Sequence, residues 1–587
     1  MFIKSCVLWI IASFAAFCFA GDGVGTKAEQ VKPEFEARQI DLLTRVFPDR
    51  SPDERIYTEP IHVPRGAKAC FQFVVKSDMP VSCSFILDAI RGRRGQTLLV
   101  EPHVYRVLTI HVEGNSQGCM KTYPSSACSP ERFASYIVRK APFDMAEVLE
   151  ETETLDLKAG VYHSVLIEIP VTDSARPDEY EGTLQFKAGS NSTVVPFKFI
   201  VHKTKIAGYS LDSNHWLWST PSNLALGVNC KYYSEQHWQL IEHAGRLLKD
   251  YGNNYIMTPL VGSMPNQGLD VPLVQTYVTG YRKYEFDFSR FERWCNLFFS
   301  LGYNKIEGAH VSAGGPLLVN AIDKKANKEI VLFKSSSDVQ EYFAFLDVFF
   351  QELHKVLQKN RWTTRYVQHL MDEPAANKVD EYLALNHVFR NAMPGVDNIE
   401  AILNKVYLPY VDIPALHIQL MDEKQGLISP IIKNGNSIWF YQSCNPVPPY
   451  ANRWLDLDLS NNRLYPWLAY LLNADGYLFW AANGYRGADP YTSSIGPLPS
   501  GSQNPGHPVG DNWLFYPGPD GLRGSMRAVA FRDGLVDHTL LKMLQKKNPK
   551  SADTIMKVIA KSVTDFERRP HIYHESRKKI LSEIENH

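Results

Sequence analysis

From about residue 206 onward, strand-like apolar runs alternate with longer amphipathic segments, and this alternation limits the possible folds more than any other feature. Most of the runs are separated by enough chain for a helix. They lie at or near His215–Trp218, Tyr255–Leu260, Lys305–His310, Arg365–Met371, Asn398–Leu403, Val411–Leu416, Ile438–Tyr441 and Tyr477–Ala481. Repeated β–α alternation at this count predicts a (β/α)8 barrel. A doubly wound open sheet is the alternative that periodicity alone leaves open.

The chain before residue 206 has a different pattern. Short runs of partly alternating apolar residues, such as Ala69–Val75 and Tyr105–Val112, are bounded by Pro, Gly, Asp and Asn. Closely spaced strands without helices between them indicate an all-β sandwich, and only Phe143–Glu151 has a helical pattern. We therefore predict an N-terminal β-sandwich domain over residues 21–205, the barrel over 206–545 and a C-terminal helical extension over 546–587.

The N-terminus predicts export. Lys4 precedes the apolar run Val7–Phe19, and the small residues Ala20 and Gly21 follow it, which is the layout of a secretory signal peptide over residues 1–20. The run is shorter than the roughly 20 apolar residues of a membrane span. We expect an exported protein, periplasmic or secreted, with no membrane span after signal removal.

Charge and cysteine content limit the partners and cofactors. The formal net charge of −1 gives no long-range attraction to nucleic acid. Cys119 and Cys128 bracket a turn-rich loop in which a disulfide and free thiols are equal alternatives, and Cys70 with Cys83 forms a weaker candidate pair. No spacing of Cys and His indicates a zinc site, so we expect neither a metal nor another cofactor.

Asp372-Glu373-Pro374 is the leading candidate for catalysis. It ends the fourth predicted strand, and catalytic groups of a (β/α)8 barrel lie at the carboxyl ends of its strands. Pro374 disfavours helical geometry at Glu373 and holds the pair in an extended or turn conformation. The charge of one carboxylate raises the pKa of its neighbour and keeps a general acid protonated near neutral pH, as glycoside hydrolysis requires.

The letters alone do not establish this assignment, because a solvated loop explains Asp372 and Glu373 equally well at the local level. Asp422 and Glu423 repeat the pair later in the chain, but Lys424 stands there in place of proline. We interpret Asp422 and Glu423 as surface charge. The assignment of Asp372 and Glu373 as catalytic candidates therefore depends on their predicted position at the end of a barrel strand.

Several segments in matching order and spacing identify a family resemblance. They are Leu217-Trp218 to Pro221, Phe286–Phe291, Ile306–Gly308, Asp372–Pro374, Trp439–Tyr441, Leu478–Trp480 with Asn483, Gly510-Asp511 to Gly518, and Arg532–Gly534. With these segments, residues 206–545 resemble glycoside hydrolase family 123, the β-N-acetylgalactosaminidases and related secreted proteins. The preceding β-sandwich resembles the N-terminal domain of the same family.

The resemblance implies a retaining, substrate-assisted mechanism. The acetamido oxygen of the substrate attacks the anomeric carbon, an oxazoline forms, and no enzyme nucleophile is needed. By the same resemblance Glu373 acts as general acid and then as general base, while Asp372 orients and stabilises the acetamido group. The rule that carboxylate separation sets the stereochemistry does not apply to such a site.

Sugar pockets also require aromatic platforms and a few hydrogen-bonding groups. The candidates for substrate contact near predicted strand ends are Trp218, Tyr441, Trp480, His310 and Asn483. Packing in the barrel core is an equal alternative for each of them. The stretch from about Gly484 to Gly524 is long for a structureless connection, and such loops are often functional.

The leading prediction is an exported exo-glycosidase that hydrolyses terminal β-N-acetylgalactosaminides of a glycan or glycolipid. One alternative is a glycosidase for another sugar, such as a β-N-acetylglucosaminide. A second alternative is a non-catalytic carbohydrate-binding protein that keeps the fold. The intact Asp372 and Glu373 favour an enzyme, because a pure binding protein needs no acid there. The oligomeric state stays open.

Overall fold

A computed structural model describes residues 34–52, 59–119, 129–262, 271–423, 437–498 and 506–587. The predicted signal peptide and Cys128, with its possible disulfide to Cys119, lie outside these ranges. Within them, no helix has both the length and the apolar character that crossing a membrane requires.

The chain up to residue 205 forms short strands and two short helices. The strands are β1 (Phe35–Ile40), β2 (Ile61–Arg65), β3 (Ala67–Ser77), β4 (Val81–Leu87), β5 (Arg91–Gly92), β6 (His103–Val112), β7 (Phe143–Glu151), β8 (Thr154–Leu157), β9 (His163–Val171), β10 (Asp178–Ala188) and β11 (Asn191–Lys205). The helices are α1 (Ser116–Cys119) and α2 (Pro130–Ala134).

These strands form two sheets with contacting faces. One sheet has the order β1-β3-β9-β6-β7 and the other β2-β11-β10-β4-β8, with β5 paired to β10. Phe71 of β3 meets Phe197 of β11 at a ring-centroid distance of 4.7 Å, and Phe73 meets Phe186 at 6.0 Å. Burial alternates along β10, as expected for a strand that buries one face.

The segment Phe143–Glu151 is strand β7, so the predicted short helix is wrong. It pairs antiparallel with β6 along its length. Met145 and Val148 of β7 are buried in a cluster with Leu455 and Trp513 from the barrel half of the chain. Because β7 is buried almost continuously, its sequence lacks the alternation of a half-exposed strand.

The predicted Cys70–Cys83 pair is also wrong. Cys70 lies in β3 and Cys83 in β4, which belong to different sheets, and both thiols are free. Burial raises the pKa of both thiols, to about 12 for Cys70 and about 11 for Cys83, which leaves them unreactive at neutral pH.

The second half contains the remaining strands. They are β12 (Asp212–His215), β13 (Tyr255–Thr258), β14 (Gln275–Gly280), β15 (Lys283–Asp287), β16 (Lys305–Gly308), β17 (Val319–Asp323), β18 (Lys328–Leu332), β19 (Tyr366–Gln368), β20 (Asp397–Ile402), β21 (Ile413–His417), β22 (Trp439–Tyr441), β23 (Gly476–Phe479), β24 (Tyr516–Pro517) and β25 (Leu522–Arg523).

Eight of these strands form one parallel, barrel-like sheet in the order β12-β23-β22-β21-β20-β19-β16-β13. Strands β12 and β23, the first and last barrel strands along the chain, pair directly, with Ser213 opposite Tyr477. A doubly wound open sheet does not allow this pairing. Asn254 bridges the remaining gap beside β12, because its N–H donates to the Ser213 carbonyl at 3.0 Å and its Oδ1 accepts the Ser213 N–H at 2.8 Å. The sheet is therefore a nearly closed barrel, in which seven strands lie within the predicted runs or extend one residue beyond them, and the first, Asp212–His215, shares only His215 with its predicted run.

Helices connect most of the barrel strands and cover the outside. They are α3 (Pro221–Leu224), α4 (Glu235–Asp250), α5 (Ser289–Ser300), α6 (Val339–Lys359), α7 (Val379–Ala392), α8 (Ile418–Glu423), α9 (Ser460–Leu471) and α10 (Met526–Lys547), followed at the C-terminus by α11 (Pro549–Ile559) and α12 (Pro570–Asn586). In α4, Ser234 caps the N-terminus and Trp238, Ile241 and Leu248 face inward at helical spacing.

The barrel carries an insertion that the sequence did not predict. Strands β14, β15, β17 and β18 form a separate four-stranded sheet from the segments that follow β13 and β16. These strands are exposed on many positions and short, so their apolar pattern is weak.

Buried ion pairs fasten the N-terminal sheets to the barrel half. Arg527 of α10 donates to Glu147 of β7 at 2.6 Å and also to the carbonyls of Gly510 and Trp513 at 2.7 and 2.9 Å. A Cβ at Gly510 would lie 2.8 Å from the Arg527 guanidinium, and its φ of +73° suits glycine. Arg527 thus links the long stretch after β23 to strand β7 of the N-terminal sheets.

Candidate active site

A cleft of about 900 Å³, including its open mouth, lies at the carboxyl ends of the barrel strands. Its walls combine aromatic, acidic and basic side chains. They are Trp216, Trp218, Met257, His310, Asp372, Glu373, Ala401, Tyr441, Ser443, Cys444, Leu478, Trp480, Arg486 and His507.

Asp372 and Glu373 both reach this cleft from the end of β19, the fourth barrel strand. Glu373 has a φ of +39°, a left-handed conformation that costs a non-glycine residue about 1–3 kcal/mol. Pro374 excludes ordinary helical backbone at this position. The strained turn lets two neighbouring side chains enter one cavity, which a regular strand forbids because its side chains alternate.

Glu373 is set up as a proton donor near neutral pH. Burial raises the pKa of this carboxyl and the charge of Asp372 raises it further, to about 7, although a hydrogen bond from the Tyr441 hydroxyl opposes both effects. Burial also raises the pKa of Tyr441 well above its ordinary value, so the tyrosine stays a donor. A general acid with a pKa near the working pH is the most effective one.

Tyr441→Phe is expected to move the alkaline limb of the pH profile of kcat/KM to higher pH. The hydrogen bond favours ionised Glu373, so its loss raises the pKa of the acid, and the acid then keeps its proton at higher pH. The wild type should lose activity as the pH rises through about 7. An unchanged limb, or one at lower pH, would contradict this assignment of the proton donor.

His310 lies beside Asp372, as Tyr441 lies beside Glu373. Its Nε2 lies 3.7 Å from Asp372 Oδ1, and the His310 side chain is 2% exposed against 30% for Asp372. Burial lowers the pKa of His310 well below its usual value, and the neighbouring His369 lowers it further. A neutral imidazole leaves Asp372 without a counter-charge from this side chain.

Beneath the cleft lies a fully buried network of Glu307, His369 and Glu400. His369 Nε2 is 2.8 Å from Glu307 and its Nδ1 is 3.4 Å from Glu400. Burial would lower the pKa of His369, but the two carboxylates raise it to about 9, so the ring is cationic at neutral pH. Trp216, which lines the cleft, donates its indole N–H to Glu307 at 2.8 Å.

Glu400 also holds the backbone that leads to Asp372 and Glu373. It accepts the N–H of Leu370 at 2.6 Å and of Met371 at 3.4 Å. Close packing of β19 against β16 adds to this, because a Cβ at Gly308 would lie 2.1 Å from the Tyr366 hydroxyl. The network therefore fixes the position of the strand tip rather than contacting the substrate.

Glu400→Gln is expected to lower kcat about 10- to 100-fold with a smaller change in KM, since a misplacement of about 1 Å at the reacting groups can cost about 10²-fold in rate. Loss of the charge leaves His369 with one counter-ion, so we also expect the free energy of unfolding to fall by about 1–3 kcal/mol. Steady-state kinetics and urea unfolding measure both. A purely structural residue would change stability alone and leave kcat intact.

The same region contains the described group that comes nearest to a metal site. Potential ligand atoms of His310, His369 and Glu400 lie within 4.8 Å of one another. Both ring nitrogens of His369 already face carboxylates, and a cationic imidazole has no lone pair for an ion. We interpret the group as a hydrogen-bond network, and the expectation of a metal-free site stays a prediction.

Of the predicted substrate-contact residues, Trp218, His310, Tyr441 and Trp480 lie in the cleft wall together with Asp372 and Glu373. Trp218 and Trp480 meet edge to face at a centroid distance of 5.8 Å. The indole of Trp480 donates to Asp511 at 3.3 Å, and burial raises the pKa of that aspartate to about 7. The two tryptophans form an aromatic corner on the side of the first and eighth strands.

Asn483 does not line the cleft, in contrast to the prediction. It is fully buried, and its Oδ1 accepts the N–H of Trp218 at 2.9 Å while its Nδ2 donates to the carbonyls of Trp218 and Asn223 at 3.0 Å each. These hydrogen bonds pair backbone N–H and C=O groups of Trp218 and Asn223, which lie beyond the end of β12. The amide therefore positions Trp218 instead of meeting substrate.

Sequence reasoning missed other residues of the site. Arg486 and His507 come from the long stretch after β23, which was singled out only as a whole. Burial, reinforced by Arg486, lowers the pKa of His507 to about 3, so this ring is neutral. The charged residues Glu307 and Glu400 inside apolar strands were the available signal for the buried network.

The repeated acidic pair lies elsewhere. Asp422 is exposed in the short helix α8 and accepts a hydrogen bond from the Tyr450 hydroxyl at 3.0 Å. Its exposure fits the interpretation as surface charge, whereas the Glu423 side chain lies outside the described part of the chain.

The comparisons with known proteins agree with this geometry. The family model of the glycoside hydrolase 123 catalytic domain matches residues 218–544, which include every residue that lines the cleft except Trp216. No curated protein gives a significant match.

Among solved structures, a family 123 glycoside hydrolase from Clostridium perfringens, studied for glycolipid glycan hydrolysis, matches with a TM-score of 0.72 and 15% identity. The match covers 94% of this chain and 97% of that chain, and at this identity it shows the fold alone. A GH10 xylanase with a bacterial Ig-like domain from termite gut has 11% identity over 64% of this chain and 90% of its own, with a TM-score of 0.31. A β-D-glucuronidase from Dictyoglomus thermophilum has 9% identity over 80% and 66%, with a TM-score of 0.32. The last two scores are too low to support an argument.

Proposed function

Since the chain belongs to the glycoside hydrolase 123 family, we propose that this glycoside hydrolase releases terminal β-N-acetylgalactosamine from glycans. The reaction is retaining and substrate-assisted: the acetamido oxygen attacks the anomeric carbon, the glycosidic oxygen leaves with the proton of Glu373, and an oxazoline forms. Water then opens the oxazoline with Glu373 as base. Asp372 orients the acetamido N–H and stabilises the positive charge that develops on the ring.

The observation that carries the proposal is the position of Asp372 and Glu373, two adjacent carboxyl groups that reach one cleft from a single strained turn. A carboxyl with a pKa of about 7 lies beside a partly exposed carboxylate on one strained turn. One group donates a proton and its neighbour remains negative, which are the two roles that oxazoline formation requires. Among the described residues that line the cleft, Asp372 and Glu373 are the only carboxylates, which supports a reaction in which the acetamido group of the substrate acts as the nucleophile.

For the substrate we propose a glycolipid or a related neutral or acidic glycan, and not a nucleic acid. The structural relative from Clostridium perfringens hydrolyses glycolipid glycans. Trp218 and Trp480 offer apolar faces for sugar rings. The near-zero net charge supports the exclusion of nucleic acid.

We further propose that the N-terminal sheets form a β-sandwich domain and that the protein is exported. Aromatic contacts between Phe71 and Phe197 across the sheets support the first statement. The apolar run Val7–Phe19 supports the second. Mass spectrometry of the protein from its native host would give a mature chain starting near Gly21, and an intact Met1 would contradict export through a cleaved signal.

The test of the activity is nitrophenol release by the purified mature protein. It would receive nitrophenyl β-N-acetylgalactosaminide, β-N-acetylglucosaminide and β-galactoside in parallel. Selective cleavage of the first supports the proposal in full. Preference for the second changes the sugar and keeps the mechanism, whereas rapid cleavage of the β-galactoside contradicts assistance by an acetamido group.

A further inference from the structure

The cation Arg486 lies in the cleft wall without a carboxylate partner among the described residues. Its guanidinium carbon is 5.2 Å from the ring centroid of Trp218 and 5.4 Å from that of Trp480. One Nη donates to the Pro497 carbonyl at 3.3 Å, and Nε is buried with no hydrogen-bond partner. Burial is what lowers the pKa of Arg486, with no nearby charge acting against it.

Some buried arginines of this protein form ion pairs with carboxylates, whereas the fully buried Arg453 lies 3.4 Å from the ring centroid of Phe479 and has two nitrogens without a hydrogen-bond partner. Arg527 pairs with Glu147 at 2.6 Å and Arg463 with Asp537 at 2.8 Å. Residues 499–505, which lie outside the described ranges close to Arg486 in sequence, contain neither Asp nor Glu. An unpaired cation in a partly desolvated cleft is costly, and an incoming anion would remove that cost.

Arg486 follows the eighth barrel strand, whereas Glu373 ends the fourth. In a closed eight-stranded barrel these two strand ends lie on opposite sides of the mouth. We infer that a sugar with its anomeric carbon at Glu373 spans the mouth, so that its opposite end, with O-4 and O-6, faces Arg486. The fork of guanidinium N–H groups matches the planar spacing of sulfate and phosphate oxygens.

We propose that Arg486 forms a subsite for an oxyanion ester, sulfate or phosphate, carried by the terminal acetamido sugar. The proposal rests on the proposed function, because it places the anomeric carbon at Glu373. The contacts with the rings of Trp218 and Trp480 hold the guanidinium in place before substrate arrives, which limits the entropy lost on binding. The preferred substrates are thus acidic glycans with an esterified non-reducing end.

The test compares kcat/KM for nitrophenyl β-N-acetylgalactosaminide with its 4-sulfate, 6-sulfate and 6-phosphate. A charge-assisted contact of this kind corresponds to a preference of about 10-fold or more for at least one ester. Arg486→Gln should abolish the preference and Arg486→Lys should retain part of it. The ester that gains most identifies the anion and its position.

The matched control is Arg361→Gln, since Arg361 is an exposed arginine that shares the positive φ of Arg486, with +59° against +49°, and lies outside the cleft. It should leave the preference intact. Equal rates for neutral and esterified substrates, or a preference that survives Arg486→Gln, would overturn the proposal.

A binding measurement separates this inference from the proposed function. Calorimetry with the Glu373→Gln variant and free N-acetylgalactosamine 6-sulfate should show binding that Arg486→Gln removes. If that binding occurs but the wild-type protein hydrolyses none of the substrates, the subsite stands and the proposed function fails. If the neutral substrate is hydrolysed but neither ester preference nor Arg486-dependent binding occurs, the subsite is wrong and the function stands.

Discussion

Glu373→Gln is expected to lower kcat/KM on nitrophenyl β-N-acetylgalactosaminide by about 10²–10⁴-fold, the usual contribution of a general acid–base group. Glutamine keeps the size and the hydrogen-bonding oxygen for Tyr441 but has no proton to give to the leaving oxygen. The alkaline limb near pH 7 should disappear together with the activity, because it reports the ionisation of this carboxyl.

The leaving group supplies an internal check on this variant. A dinitrophenyl aglycone departs without protonation, so the first step of Glu373→Gln should be impaired much less on that substrate. Asp422→Asn is the matched control, because Asp422 occurs in a nearly identical sequence context but is exposed on α8. Wild-type rates for Glu373→Gln, or a large loss for Asp422→Asn, would mean that the acid has been placed on the wrong residue.

Asp372→Asn is expected to lower kcat on acetamido substrates by about 10²–10³-fold, since removing one group aimed at developing charge typically has this effect. The loss should grow as the acetamido group is replaced by its less basic fluorinated analogues, because Asp372 assists the attack of that oxygen. A uniform loss across the series would exclude a role in substrate assistance.

The same variant also has a diagnostic pH effect. The charge of Asp372 raises the pKa of Glu373, so its removal lowers that pKa and moves the alkaline limb to lower pH. Tyr441→Phe moves the limb in the opposite direction. The two variants should therefore shift the alkaline limb in opposite directions, because Asp372 raises the pKa of Glu373 and Tyr441 lowers it. Shifts in the same direction would contradict the assignment of Glu373 as the proton donor.

The barrel was predictable because its strands are buried on both faces and read as short continuous apolar runs. The strand-end rule then led from β19 to Asp372 and Glu373 without any tertiary information. By contrast, β7 was mistaken for a helix because the barrel half covers its second face, a contact between residues more than 300 positions apart in the chain.

The supporting groups of the site were beyond sequence reasoning for a similar reason. Glu307, His369 and Glu400 come together from three strands, and only their separate occurrence within apolar runs was visible. Arg486 lies in an irregular loop, where no periodicity indicates which side chains enter the cleft. Asn483 shows the converse, because a conspicuous polar residue near a strand end proved to bind backbone groups around Trp218.

The most direct measurement of the central claim is calorimetric binding of the thiazoline analogue of the N-acetylgalactosamine oxazoline. An enzyme that forms the oxazoline binds such an analogue at least 10²-fold more tightly than N-acetylgalactosamine itself. We predict tight binding by the wild type and a loss of about 10²-fold or more in Asp372→Asn, with the fold intact. Binding no tighter than that of the free sugar, or equal affinity in the two proteins, would contradict substrate-assisted catalysis at Asp372 and Glu373.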